Sequence, residues 1–258
     1  MDAVYEVRGD IATPGDYVAG PWDATMQHGS APTALIARAV ERLPSQVPMQ
    51  VVRLTVDLLR PVPIRPLEIK AEVVREGRKI QLCAVRLLAD GKEVVRASVL
   101  KIRRADVDLP AAAPRGAPLT LPTADRGTLP HVAVRNSSPF ISGLELSLVQ
   151  GDFRTGPGAC WFRMRRPLVH GETPTPLMRA AVTADFCNGT AAVRDARRWT
   201  VLNADLSIHL TRMPIGEWVL LDAETWLGAE GNGLAFGRLA DAQGYFGRAV
   251  QSLVVERP

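Results

Sequence analysis

The spacing of hydrophobic residues along the chain predicts where its helices begin and end. In residues 28–43 these residues recur every three or four positions, as they do on the buried face of a helix. Leu35, Ala39 and Leu43 share that face. Ser30 precedes the stripe, and its side chain predicts an N-cap for this first helix.

Segments with the alternating pattern of strands follow this helix, at residues 49–59, 67–76, 79–89 and 93–103. In the C-terminal half, residues 175–186 predict a second helix, which we expect the pair Asn188-Gly189 to end. Further strand-like segments follow it, at residues 199–212, 217–228, 233–242 and 245–256. Each half is thus predicted to contain one helix and about four antiparallel strands.

The two halves also match each other when the sequence is shifted by 152 positions. Ten identities then fall in residues 51–104 without a gap, and Arg60 coincides with Arg212. Chance similarity between two strand-rich segments is the alternative, but a single phase favours a duplicated unit. Four long strands can bury both faces of one helix only if the sheet curls around it.

The predicted organisation is an N-terminal unit of residues 1–104, a linker of residues 105–135 and a C-terminal unit of residues 136–258. Residues 105–127 are rich in proline and alanine and have no periodicity, as expected of a linker that crosses between the units.

Three segments resemble the acyl-CoA thioesterase II family: HGSAPTALIARA (28–39), LSIHLTRMPIGEWVLLDAET (206–225) and ADAQGYFGRAVQSLVV (240–255). The resemblance implies an α+β fold, the double hotdog, in which two long helices are each wrapped by a curved antiparallel sheet. In that family an Asp at the helix end, a Thr, Ser or Asn on the next strand and a Gln on the last strand hold the hydrolytic water.

Position by position, this resemblance assigns those catalytic roles to Asp185, Asn203 and Gln251. The sequence departs from the family pattern at Ser30, where the family has a second glycine after the histidine. At the second catalytic position the chain has the amide Asn203 instead of a hydroxyl residue, and an amide cannot relay a proton as a hydroxyl can.

The surroundings of Asp185 give an independent reason to regard it as a general base. It lies near the C-terminal end of the second helix, where the macrodipole disfavours an anion by roughly 0.3–1 kcal/mol. Its neighbours Ala184, Phe186 and Cys187 are small or apolar, so burial is expected to raise the pKa of the carboxyl group. The alternative is an exposed residue at a helix end, without a catalytic role.

The other two side chains of this set are less clearly placed by the pattern. Gln251 alternates with Ala249 and Leu253 on an apolar strand face, where it either orients water or bonds to nearby backbone. Asn203 falls on the opposite face from Leu206, so it points to the same interior only if its strand begins with a bulge or that face meets the other unit.

His28 and Gly29 precede the first helix, where backbone amides can hold the oxygen of a thioester. His28 is alternatively a plain loop histidine. The remaining histidines do not have metal-ligand spacing, so we expect no metal, and Gly29-Ser30 is not part of a GxSxG nucleophile motif.

The family resemblance implies hydrolysis of acyl-CoA thioesters, and the residues around Asp185 are consistent with it. No cofactor is expected, because coenzyme A arrives as part of the substrate. Two alternatives stay open. A hotdog hydratase or dehydratase needs a paired Asp and His, but no His lies near Asp185 in the sequence. A non-catalytic module that binds acyl-CoA is the other alternative.

Composition narrows the expected partners and location. The 258 residues are 47% hydrophobic and 22% charged, which is ordinary for a globular protein. The net charge of +4 is spread along the chain, so nucleic acid is not an expected partner, although a small polyanion is. Three scattered cysteines, no apolar run of membrane-spanning length and no secretory signal favour the cytoplasm. We also expect a homo-oligomer of double-hotdog chains.

Overall fold

The computed structural model describes residues 2–113, 116–135, 137–192 and 199–257. Residue 1 of the predicted N-terminal unit, residues 114 and 115 of the predicted linker, and residues 136, 193–198 and 258 of the predicted C-terminal unit lie outside the described residues.

The N-terminal half contains one long helix and six strands. These elements are β1 (Tyr5–Arg8), β2 (Ile11–Pro14), α1 (Ser30–Glu41), β3 (Met49–Leu58), β4 (Leu67–Arg75), β5 (Ile80–Ala89) and β6 (Lys92–Arg103). They confirm the helix and the four strands predicted from periodicity. The prediction that Ser30 caps α1 is wrong, because Gly29 is the N-cap and the Ser30 hydroxyl is hydrogen-bonded elsewhere.

The C-terminal half has more irregular structure ahead of its main elements. It contains α2 (Val132–Arg135), α3 (Pro139–Ser142), β7 (Leu144–Gln150), β8 (Gly158–Met164), α4 (Pro176–Ala184), α5 (Cys187–Thr190), β9 (Thr200–Asn203), β10 (Asp205–Leu210), β11 (Trp218–Leu227), β12 (Asn232–Asp241) and β13 (Gly244–Glu256). The prediction that Asn188-Gly189 ends the helix is wrong. The helix breaks earlier, at Asp185 and Phe186, and both predicted stop residues belong to α5.

The thirteen strands of the described residues form one sheet, in which β3 of the first half pairs antiparallel with β10 of the second. The order β4-β5-β6-β3 on one side of this junction is mirrored by β11-β12-β13-β10 on the other. Thr55 pairs with Ser207 at the junction, and their hydroxyl oxygens are 2.9 Å apart. These two residues are 152 positions apart, so the shift found in the sequence relates the two halves by a pseudo-twofold axis.

The helices form the interior of this curved sheet. Residues 30–40 of α1 are all buried, and α1 packs against α4. Small residues such as Ala31, Ala34 and Ala37 allow this close approach. The arrangement confirms the predicted double hotdog, with a second helix shortened by the break at Asp185. Within the described ranges, no helix is long and apolar enough to cross a membrane.

The proline-rich segment between the halves packs on the outer face of the sheet in the C-terminal half. Leu119 and Leu121 contact a small apolar cluster that includes Trp161 and Tyr245. The indole Nε1 of Trp161 donates a hydrogen bond to the carbonyl oxygen of Pro122 at 2.9 Å. The described part of this segment is therefore held against the sheet by specific contacts.

Candidate active site

Asp185 lies between α4 and α5, in the interruption of the second helix, and it is only 8% exposed. Three side chains from different elements donate hydrogen bonds to its carboxylate. Ser30 Oγ is 2.9 Å from Oδ2, while Asn203 Nδ2 and Gln251 Nε2 are 3.0 Å and 3.4 Å from Oδ1. Asn203 and Gln251 were candidate site residues in the sequence analysis, whereas Ser30 was not.

Burial raises the pKa of Asp185 to about 6, and the hydrogen bonds from Ser30 and Asn203 oppose that rise. Burial disfavours the charged form, whereas donors that point at a carboxylate favour it. The result is a carboxylate that is ionised at neutral pH and more basic than a free Asp. These properties suit a general base that removes a proton from water.

Gln251 is fully buried and connects strand β13 to the helix break. Its Nε2 donates to the backbone carbonyl of Asp185 at 2.9 Å, and its Oε1 accepts from the backbone N–H of Asn188 at 3.0 Å. The side-chain amide therefore bonds backbone groups on both sides of the interruption. An unpaired buried group of this kind would cost about 1–3 kcal/mol.

Asn203 reaches Asp185 because a bulge separates β9 from β10. Asn203 pairs with Leu253 of β13, whereas Ser207 pairs with Val250, so residues 204–206 face only residues 251 and 252. One extra residue reverses the alternation of side chains at this point. This bulge is one of the two conditions under which the sequence analysis expected Asn203 to face the interior.

His28 packs between two aromatic rings, with ring centroids 4.8 Å from Phe140 and 4.9 Å from Phe186. Burial lowers the pKa of His28 to about 3, so the imidazole is neutral at neutral pH. Its Nδ1 accepts a hydrogen bond from the Ser30 N–H at 3.1 Å, which assigns the ring proton to Nε2. The same Nδ1 is 3.6 Å from Oδ2 of Asp185.

Gly29 lies directly against the carboxylate of Asp185. A Cβ atom at this position would be 3.0 Å from Oδ2 and 3.2 Å from Oδ1. Its backbone angles are those of an ordinary helix, so close approach is the reason for glycine here. Among the described residues, no acceptor is hydrogen-bonded to the Gly29 N–H, which precedes the first turn of α1.

A cavity of about 1080 Å³ lies beside these residues and is lined by both halves of the chain. Its wall is largely apolar, with contributions from Met26, Leu58, Val62, Ile141, Leu146 and Phe162. His28, Gly29, Asp185 and Asn203 line it as well, whereas Gln251 lies behind them. The volume is at the upper end of the range for small-molecule sites.

Sequence comparison assigns this architecture to a family. The family model described as the acyl-CoA thioesterase C-terminal domain matches residues 114–255, and the one for the N-terminal domain matches residues 18–102. The chain belongs to the acyl-CoA thioesterase II family. It is therefore a thioesterase, and hydrolysis of thioesters is its general activity. No curated protein matches its sequence significantly.

Solved structures confirm the fold of this thioesterase. A conserved protein with a hot dog fold from Alicyclobacillus acidocaldarius is similar over 100% of this chain and 97% of its own, with 18% identity and a TM-score of 0.76. Acyl-CoA thioesterase II TesB2 from Mycobacterium marinum is similar over 98% and 96%, with 18% identity and a TM-score of 0.67. A tesB protein from Mycobacterium avium subsp. paratuberculosis is similar over the same shares, with 15% identity and a TM-score of 0.67.

Two contacts in this thioesterase were missed by the sequence reasoning. The hydroxyl of Ser30 bonds to Asp185, and the only available signal was its departure from the glycine of the family pattern. The ring of His28 also reaches Asp185, although no histidine is near that residue in sequence. The fold supplies both contacts from the other half, because the start of α1 meets the end of α4.

Proposed function

We propose that this thioesterase hydrolyses acyl-CoA by attack of a water molecule that Asp185 activates. The water oxygen bonds to the thioester carbonyl carbon while its proton passes to the carboxylate. The tetrahedral intermediate then breaks the carbon–sulfur bond, and the proton returns to the departing thiolate of coenzyme A. The observation that carries this proposal is a buried carboxylate beside the cavity, with its pKa raised to about 6.

The oxyanion that develops during attack needs a hydrogen-bond donor in the same cavity. The Gly29 N–H is suited to this role because it precedes a helix, lines the cavity and is without a protein acceptor among the described residues. His28 supports it by fixing the next backbone N–H, that of Ser30.

The remaining side chains position the base. Asn203 lines the cavity, donates to Asp185 and retains a carbonyl oxygen that can accept a proton of the attacking water. This arrangement does not require the proton relay that an amide cannot provide. Gln251 lies outside the cavity lining and holds the helix break, so we assign it a positioning role instead of direct contact with water.

The Asp185→Asn variant tests this mechanism, since it removes the base with little change in shape. Release of free thiol from a series of acyl-CoA esters should fall on the order of 100-fold or more. Circular dichroism and thermal unfolding verify that the variant is folded. Unchanged thiol release would refute the role of Asp185, and absence of release by the parent protein would favour a module that only binds acyl-CoA.

The proximity of His28 to Asp185 supports a second candidate activity, hydration of a 2-enoyl-CoA. His28 and Asp185 both line the cavity, with Nδ1 3.6 Å from Oδ2 and no hydrogen bond between them, so the fold brings together an Asp and a His that are distant in sequence. A hydratase would consume the conjugated double bond of 2-hexenoyl-CoA without releasing thiol. The thioesterase mechanism predicts thiol release from hexanoyl-CoA and from the enoyl ester, with Asp185→Asn lowering both on the order of 100-fold or more.

We also propose that the protein assembles into a homo-oligomer. Apolar side chains such as Val74, Trp226 and Val254 are 58%, 57% and 46% exposed on the strands, which supports contact with a second copy. Light scattering at several protein concentrations tests this proposal, and a monomeric mass at all of them would refute it.

We propose a cytoplasmic location as well. All three cysteines, Cys83, Cys160 and Cys187, are buried free thiols, which suits a reducing compartment. Fractionation of cells that express the protein would test it.

A further inference from the structure

The duplication provides two equivalent arginines whose surroundings differ. Arg212 of the second half forms a two-pronged ion pair with Asp241, with Nη2 2.7 Å from Oδ1 and Nη1 contacting Oδ2. Asp241 is fully buried and also accepts from the backbone N–H of Ile215 at 2.9 Å. The guanidinium group of Arg212 is therefore occupied by a structural ion pair.

Arg60 lacks the equivalent partner. The position that corresponds to Asp241 under the 152-residue shift is Ala89, which is buried and cannot pair with a guanidinium group. Within the described ranges, Arg60 has no hydrogen bond or ion pair to the protein. It is exposed, and it lines the same cavity as Asp185.

The cavity consequently has a buried end, at Asp185, and an exposed part that carries positive charge. Asp185 is buried and Gly29 is half-buried, while Arg60 and Arg154 line the cavity as exposed residues. The other lining carboxylate, Asp23, already accepts hydrogen bonds from Thr25 at 2.7 Å. An extended ligand whose thioester reaches Asp185 would have its anionic groups in the exposed part.

We propose that Arg60 binds a phosphate group of the coenzyme A moiety, an inference that rests on the proposed function. The phosphates of acyl-CoA are strongly hydrated and stay near solvent when the thioester is buried. A guanidinium group without a protein partner can meet a phosphate with two parallel hydrogen bonds. A carboxylate at the end of the acyl group has the same chemistry and is the competing source of the anion.

The test compares substrates with and without phosphate. Hydrolysis of hexanoyl-CoA and of the hexanoyl thioester of N-acetylcysteamine is measured for the parent, Arg60→Ala and Arg60→Lys. We expect Arg60→Ala to lower kcat/KM for hexanoyl-CoA by about tenfold, mainly through KM, and to leave the truncated thioester unaffected. Arg60→Lys should retain part of the affinity because it keeps the charge.

Arg65→Ala is the matched control. It removes one positive charge from a nearby surface site, where Arg65 pairs with Asp90 at 2.7 Å and both side chains are 63% exposed. We expect its kinetics on both substrates to equal those of the parent. Raised salt should weaken the parent's kcat/KM for hexanoyl-CoA more than that of Arg60→Ala.

Three outcomes would overturn the proposal. Equal losses on both substrates would make Arg60 a structural or catalytic residue, and no loss on either would leave it without a role in binding. A loss confined to glutaryl-CoA, compared with hexanoyl-CoA, would assign Arg60 to an acyl carboxylate instead. Failure of the catalytic proposal is recognised separately, because Asp185→Asn would then retain activity on both thioesters.

Discussion

Removing the hydroxyl of Ser30 should move the pH dependence of catalysis without removing the base. Ser30 Oγ donates to Asp185 Oδ2 at 2.9 Å, and this bond stabilises only the ionised carboxylate. In Ser30→Ala the buried carboxylate loses that donor, so its pKa should rise above the value of about 6 that burial produces in the parent.

The size of this effect follows from the charge on the acceptor. A hydrogen bond to a charged group contributes about 1.5–3 kcal/mol, and one pH unit corresponds to about 1.4 kcal/mol. Loss of the Ser30 bond should therefore raise the pKa of Asp185 by about one to two pH units. Activity requires the ionised form, so the acid limb of kcat/KM should shift upward by the same amount.

The assay is thiol release from an acyl-CoA ester, measured from pH 5 to pH 9 for both proteins. The parent should reach half of its plateau near the pKa of Asp185, and Ser30→Ala should recover most of its activity at the alkaline end. Thr33→Val is the control, because it removes another buried hydroxyl from the first turn of α1 that bonds Gly29 O at 2.8 Å and not Asp185. Its pH midpoint should equal that of the parent.

An activity loss in Ser30→Ala that is uniform across pH would refute this reasoning. It would mean that Ser30 supports the packing of the two helices, or the loop at Gly29, without tuning the carboxylate. An unchanged profile would mean that solvent or Asn203 replaces the lost donor.

Three further predictions follow from the same geometry. Asp185→Asn should raise the free energy of unfolding at pH 7.5 by up to about 3 kcal/mol, because the parent loses stability as pH rises from the ordinary pKa of 3.8 to the native value of about 6. Urea unfolding should show no such gain at pH 3.5. A gain that is independent of pH would contradict the raised pKa of Asp185. Gln251→Ala should reduce both turnover and the free energy of unfolding. The double variant with Asp185→Asn should lose little further turnover, because the two residues act as a unit. Multiplicative losses of turnover would indicate separate roles. Gly29→Ala should reduce kcat because its methyl group would lie 3.0 Å from Asp185 Oδ2, and a fully active variant would show that the carboxylate can move.

The periodicity of hydrophobic residues within single segments was sufficient to predict most of the fold. Helix α1 and strands β3 to β6 each carry one clear period, and the duplication repeats that pattern with β11 to β13. The predicted end of the second helix was wrong because side chains distant in sequence determine the backbone conformation there. The helix breaks at Asp185 because Gln251, from a strand far along the chain, bonds the backbone groups that the helix leaves unpaired.

The candidate site was predictable only in part, for the same physical reason. Asp185, Asn203 and Gln251 follow from a family resemblance, and Asp185 also from the oddity of a carboxylate at a helix C-terminus. Ser30 and His28 reach that carboxylate across the packing of two helices, which periodicity in one segment cannot reveal. Likewise, alternation alone could not place Asn203, since one extra residue in its strand reverses the outcome.

The junction of β3 and β10 has a consequence for how such a chain can evolve. Two identical subunits joined in this way would carry every substitution twice, whereas a fused chain carries each of them once. Under the 152-residue shift, the counterparts of Asn203 and Gln251 are Val51 and Val99, which are apolar. In a fused chain, polar side chains can therefore surround Asp185 in one half while apolar residues occupy the equivalent strand positions of the other. The different surroundings of Arg60 and Arg212 are a second example of this independence.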